Sequence, residues 1–211
     1  MEFQRARTED QIAGRQKEII AACDAIYREK GYAAAHFKAI SGITSISRPS
    51  IYNYYKTKEE IFLDVLKLDY QKWEKELKAH YKKTQKMNKK GFCAFLSKLI
   101  ARHEKYLELV TIYIHPIEVN SRLEKLTSFK TVMHGFFETL LEGVNKYFPR
   151  TANHKKQAFL FNLMVMVTGA YSYTHLSEKQ IQASLNADPE YKTPVFRRIV
   201  YSLLMMLLRD F

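Results

Sequence analysis

Apolar positions recur at steps of three and four along almost the whole chain, which predicts helices nearly throughout and an all-α fold. Ile12, Gln16, Ile19, Cys23 and Ile26, with Ile20 and Tyr27 alongside, mark one buried helix face. Gly31 follows Lys30 and stops that helix, as a residue free to take positive φ does. A short segment over 37–43 comes next. Ser47 is a good N-cap and Pro49 suits a first helical turn, so a second short helix is predicted over about 48–55. Thr57 and Glu60 have the spacing of a capping box. The helix they open, over 57–81, carries Ile61, Phe62, Val65, Leu66, Tyr70, Trp73 and Leu77 on one face. The lysine-rich run 82–90 reads as a solvated helix end and linker.

Beyond Gly91 the period is again helical, with Phe92, Phe95, Leu96, Leu99, Ile100 and His103 in one stripe. Pro116 is expected to end or kink the helix that meets it. Long helices are predicted over 121–148 and 152–176, a loop over 177–191, and a last helix over 194–209.

Charge narrows the function. Of 211 residues, 34 are Lys or Arg and 22 Asp or Glu, a formal net charge of +12. The excess is densest over residues 57–90. A surplus of this size favours polyanionic partners, nucleic acid before anionic membrane. Cys23 and Cys93 are the only cysteines. They offer neither a disulfide framework nor a metal-type pair, which fits a reducing cytoplasm. The N-terminal residues Met1–Arg5 carry no apolar signal region, and the most apolar stretches, 159–167 and 199–208, are half a membrane span. The expectation is a cytoplasmic protein with no membrane partner. His115 and Glu118 at i, i+3 are weak evidence for a metal, and none is expected. No phosphate loop, nucleophile elbow or paired cysteine motif is present, so neither enzymatic activity nor a cofactor is expected.

Three short helices in the first 56 residues, with a polar turn between the second and third, form a helix-turn-helix pattern. Such a unit braces one helix on the DNA backbone and presents the start of the next to the major groove. Residues 47–53 are the presenting segment. Arg48 can reach guanine or phosphate, Ser50 either, and Tyr52 and Asn53 phosphate or a base edge, while Ile51 and Tyr55 face inward. Lys58 opposes the dipole at a helix start, which a nearby phosphate would explain; a solvated lysine is the plain alternative. Arg5, Arg7, Arg15 and Lys17 are candidates for the minor groove or flanking phosphates, against an ordinary basic tail.

Gly31-Tyr32, then the run from Ile46 through Ser47, Arg48, Pro49, Ser50, Ile51, Tyr52, Asn53, Tyr54, Tyr55, Lys56, Thr57, Lys58, Glu59 and Glu60 to Ile61-Phe62, resembles the DNA-binding domain of the tetracycline-repressor (TetR) family. The resemblance covers roughly residues 11–66. It implies a DNA-binding domain over 1–56 and a helical effector-binding and dimerisation domain over 57–211, with 57–81 as connecting helix. It also implies phosphate contacts from Tyr52 and Lys58, and base or phosphate contacts from Ser47, Arg48, Ser50 and Asn53. Three positions depart from the family pattern: Ser45 for a turn glycine, His36 for a Ser/Thr cap, and Pro49 for a small residue.

The C-terminal region is rich in aromatics and methionine. Phe95, Leu99, His103, Tyr113, Met133, Phe136, Phe137, Met164 and Tyr171 are the candidate lining of an effector cavity, each with plain core packing as its alternative. Tyr70, Trp73 and Leu77 of the connecting helix can touch its wall. Phe159, Leu163, Met166, Val167, Val200, Leu203, Leu204 and Leu207 offer apolar surface for a homodimer built as a four-helix bundle. The expected function is a ligand-responsive transcriptional regulator: a homodimeric repressor on double-stranded DNA, released from a palindromic operator by a small apolar or amphipathic effector. The alternative is a helical DNA-binding protein without a small-molecule effector, in an architectural or accessory role.

Overall fold

The structure is a computed structural model that describes residues 9–211. Among those residues it is helical and contains no strand. The helices are α1 (Glu9–Lys30), α2 (Phe37–Gly42), α3 (Arg48–Ile51), α4 (Lys58–Lys83), α5 (Lys89–Arg102), α6 (Glu104–Glu108), α7 (Ile114–Val119), α8 (Leu123–Tyr147), α9 (Asn153–Thr174), α10 (Glu178–Ala187) and α11 (Phe196–Leu207). Packing divides the chain into two compact units. One comprises the chain up to Asp69 together with His115–Met133; the other comprises Tyr70–Ile114 together with His134–Phe211. Helices α4 and α8 therefore each contribute residues to both.

In the first unit, α1 ends as its sequence predicts: Gly31 adopts φ 81° and its N–H returns to the Tyr27 carbonyl at 2.9 Å. The buried face of α1 begins at Ile19, not at Ile12, which is exposed. Ile19, Cys23 and Tyr27 pack with Ile40, Ile46, Ile51, Tyr55, Ile61 and Phe62 into a core from which water is excluded. The second segment of the same unit is tied in by polar contacts. Thr57 donates to the Asn120 carbonyl at 2.9 Å. Asp64 accepts from Tyr55 at 2.8 Å, Lys67 at 2.9 Å and Lys125 at 3.0 Å.

In the second unit, α11 packs on α5 and α9. Phe92, Leu96, Leu99, Phe159, Leu163, Val167, Val200 and Leu204 form its centre. Phe159, Leu163, Val167, Val200 and Leu204 are thus consumed by the chain's own core and are not free surface, because the α5 stripe needs two partners to cover it.

One expectation is corrected, and for Pro116 the helix is distorted and not ended. Residues 177–191 are not all loop: α10 lies within them, opened by a full capping box in which Gln180 N–H meets Ser177 Oγ at 3.3 Å and Gln180 Oε1 accepts from Ser177 N–H at 2.9 Å. No residue of α10 is fully buried, and its apolar face is short: Ile181 and Leu185, half-buried one turn apart. Pro116 does not end its helix. It lies inside α7, and the five residues before that helix, Leu109–Tyr113, form a π turn. Proline supplies no N–H and crowds the carbonyl four residues back, here Ile112, so the chain relieves the conflict by widening its turn.

Candidate nucleic-acid interface

Ser47 caps α3: its Oγ accepts from the Ser50 N–H at 3.4 Å and shares a hydrogen bond with Ser50 Oγ at 2.8 Å. Regular helix stops at Ile51, four residues short of the predicted end, and turns follow over 52–54. The Tyr54 and Tyr55 N–H groups both return to the Ile51 carbonyl, at 2.9 and 3.0 Å, and Tyr55 is fully buried with its hydroxyl on Asp64. Ile51 is fully buried as expected.

The three departures from the family pattern each have a local answer. His36 caps α2, its Nδ1 accepting from the Ala39 N–H at 3.1 Å. Ser45 needs no left-handed backbone, since no non-glycine described residue has positive φ. Glu18 of α1 holds it instead, receiving both its N–H and, at 3.0 Å, its hydroxyl. Pro49 sits in the first turn of α3, where a missing N–H leaves no helical bond broken.

The outward side chains gather on one surface. His36, Phe37, Lys38, Arg48, Tyr52, Lys56, Thr57 and Lys58 surround an open concavity of about 430 Å³. Tyr52 is exposed and rests edge-on against Phe37, ring centres 4.8 Å apart. Arg48 and Asn53 are exposed, Ser47 and Ser50 half-buried. Lys58 donates to the Tyr32 carbonyl at 3.2 Å and lies over the Tyr32 ring at 4.0 Å, while Tyr32 donates to Glu59 at 2.8 Å. That aromatic contact steadies a cation at a helix start, where the macrodipole repels it. Lys38 and Lys56 complete the cationic set; the sequence reading missed them, although each sits within a residue or two of a recognised cap. Arg15 is half-buried and Lys17 exposed on α1, and Arg5 and Arg7 lie outside the described residues.

The second unit contains a separate apolar cavity of about 50 Å³. Of the nine sequence-proposed effector residues, Phe136, Phe137 and Met164 line it, together with Tyr70, Trp73, Leu96, Ile100, Leu107, Val110, Leu140, Leu163, Val167 and Thr168. The other six do not line it. Phe95 stacks on His80 at 3.6 Å, and Leu99 is core. His103 bonds Glu76 at 3.1 Å and packs on Trp73. Tyr171 stacks on His175 at 3.9 Å. Tyr113 ends the π turn, and Met133 belongs to the first unit. Glu118 pairs with Lys130, and no cluster of metal-type ligands occurs among the described residues. No described helix is long and apolar enough to cross a membrane.

Comparison with known proteins agrees with this architecture. Residues 19–65 match the model of bacterial regulatory proteins of the tetR family, and residues 67–209 match the tetracyclin repressor-like C-terminal domain. The HTH-type transcriptional regulator QacR of Staphylococcus aureus is 28% identical over 120 residues, 57% of this chain and 54% of that one. The match thus spans about half the length of that curated relative. A TetR/AcrR-family transcriptional regulator from Thermobifida fusca superposes with a TM-score of 0.60 at 16% identity, over 94% of this chain and 98% of the other. The regulator FadR of Bacillus subtilis, in complex with stearoyl-CoA, superposes with a TM-score of 0.55 at 16% identity, over 92% and 98%. With both halves of the chain matched in order, and the capped recognition segment standing where the first half requires it, the protein belongs to the TetR family of bacterial transcriptional regulators.

Proposed function

We propose that the protein is a homodimeric repressor that binds a pseudo-palindromic DNA duplex and leaves it when a small effector enters the second unit. The observation that carries the DNA-binding part is the convergence of Lys38, Arg48, Lys56 and Lys58 around exposed Tyr52, beside a capped recognition segment. Ser47, Arg48, Ser50, Tyr52, Asn53 and Lys58 are its contacts: Tyr52 and Lys58 hold phosphates, and Arg48 reads a base edge. Two such segments in a dimer meet successive major grooves when about 34–36 Å apart. Phe161 and Val165 on α9, and Met206 on α11, are exposed and supply the apolar surface for pairing. Effector release would act through α4 and α8, because residues of both line the cavity while their other ends belong to the first unit. Division of the chain into a DNA-binding part, 1–56, and an effector part, 57–211, is a division of labour in this reading.

Binding titrations against duplex DNA at several salt concentrations test it. Affinity should fall steeply with salt, and each phosphate contact removed should flatten the slope by roughly one unit.

A second reading, DNA binding without an effector, has one observation in its favour. A cavity of about 50 Å³ is well below the roughly 300–1,000 Å³ of ordinary small-molecule sites. Operator affinity indifferent to every compound that binds the protein would favour it.

A further inference from the structure

Three features of the second unit's cavity define what it can accept. No Lys, Arg, Asp or Glu lines it. Glu76, which approaches through His103 on the Trp73 ring, is already held by Arg102 and His103. An anion brought into such a site would lose its hydration and gain no partner, whereas a cation would meet the faces of Tyr70, Trp73, Phe136 and Phe137. The second feature is an orphan donor: the Trp73 indole Nε1 is buried and has no hydrogen-bond partner. An indole N–H away from water normally finds an acceptor, and a ligand acceptor would satisfy it.

The third feature is the wall. At about 50 Å³ the cavity, which is partly open to solvent, is smaller than the roughly 150 Å³ cavity known to admit benzene in an engineered protein core. Val110, one of the lining residues, lies in the π turn Leu109–Tyr113. In the same turn the Thr111 hydroxyl is buried without a partner, although a helical threonine ordinarily bonds the carbonyl four residues back. The wall is therefore least satisfied where it must yield, and π turns often mark such sites.

Resting on the reading of the protein as effector-responsive, we propose that this cavity binds a small uncharged apolar molecule with one hydrogen-bond acceptor. The acceptor meets Trp73 Nε1, and the π turn moves outward to make room. The chemistry excludes phosphate-bearing thioesters.

Three probes of similar size separate these claims by calorimetry on the full chain: acetophenone, ethylbenzene and benzoate. Acetophenone should bind at least tenfold more tightly than benzoate, and more tightly than ethylbenzene. Trp73→Phe should weaken acetophenone several-fold and leave ethylbenzene unchanged, the latter showing that the site is still folded. Benzoate binding as tightly as acetophenone overturns the inference. So does acetophenone binding that is unaffected by Trp73→Phe, or no binding of either neutral probe. Adding acetophenone to the DNA complex is a separate arm. A protein that shows these preferences yet never binds duplex DNA keeps the inference and sinks the regulator reading.

Discussion

Arg122 closes a two-pronged ion pair on Glu60, with Nε 2.6 Å from Oε1 and Nη2 3.0 Å from Oε2. Glu60 is fully buried, and the same carboxylate accepts the backbone N–H of Lys56 at 2.8 Å and of Arg122 at 3.2 Å. Arg122 Nη2 also reaches the Tyr54 carbonyl, 3.5 Å away. A residue from the turn before α8 thus fastens the end of the recognition segment to the start of α4.

Removing the guanidinium leaves a buried carboxylate with two backbone donors only. Because Arg122 is partly exposed, water can replace some of what is lost, and Arg122→Ala should cost about 1–3 kcal/mol. The double variant with Glu60→Ala should cost less than the two singles added, since the second change removes the stranded charge. Urea unfolding of the four proteins checks this; simple additivity would mean the two side chains are not coupled.

Acid should unfold the first unit through two of its buried carboxylates, Asp64 and Glu60. Burial by itself raises Asp64, but hydrogen bonding from Lys67, the charges of Lys125 and Lys67, and the Tyr55 hydroxyl hold it below the ordinary carboxylate value. Burial likewise opposes Glu60, and the Arg122 hydrogen bonds, the backbone donors and the Arg122 charge prevail and lower it. Groups lowered on folding bind fewer protons in the native state. Their contribution is complete above the unfolded pKa values of about 4 and drains as pH falls through the lower native ones. Stability followed by denaturant midpoint should decline gently below about pH 6.5, because burial and then Lys146 lower the His80 imidazole, and fall steeply below about pH 4. Asp64→Asn should lower the plateau and soften the acid limb; an unchanged limb would mean that Asp64 does not titrate as argued.

Much of this was legible in the chain, and what was not has identifiable causes. The cap at Ser47, the stop at Gly31 and the inward Ile51 and Tyr55 are local signals, and each stands where the pattern puts it. The early end of α3 was not legible because the residues after Ile51 still return bonds to its carbonyl, so no local break marks the stop. Helix α10 offers only Ile181 and Leu185 as an apolar pair, too short a stripe to read. The cavity lining was only partly legible: a helical stripe says which face is buried, not which buried residue borders a void. Val110 borders it from within the π turn, and a proline six residues downstream was that turn's one trace in the sequence.

Gly143 lies where α8 meets the Tyr81 ring. A Cβ there would stand 2.2 Å from the Tyr81 hydroxyl and 2.3 Å from its Cζ. Gly143→Ala should therefore destabilise by about 1–3 kcal/mol, although alanine is the better helix former by about 1 kcal/mol. The Tyr81 hydroxyl is buried without a partner, so Tyr81→Phe should be close to neutral and should recover part of the Gly143→Ala loss. Thermal unfolding of both singles and the double checks the pair, and no loss of stability on Gly143→Ala would refute the clash.

Dimerisation should depend on outward side chains of α9. Phe161 and Val165, one turn apart, are 65% and 52% exposed, against the buried Phe159, Leu163 and Val167 between them. Phe161→Glu with Val165→Glu should yield a folded monomer in sedimentation at micromolar protein, with DNA affinity reduced by at least tenfold. A dimer that survives both charges would move the interface elsewhere.

Selection of bound sequences from a random duplex library, followed by titration of the winner, bears most directly on the recognition face. The wild-type chain should enrich a pseudo-palindrome with half-site centres about 34–36 Å apart, or a multiple of that spacing. Lys58→Ala and Tyr52→Phe should weaken binding to every sequence, with Lys58→Ala flattening the salt slope by about one unit, whereas Arg48→Ala should also relax the preference at one base pair of each half-site. An enriched sequence without two-fold symmetry, or one bound equally well by all three variants, would contradict the assignment of this face to DNA.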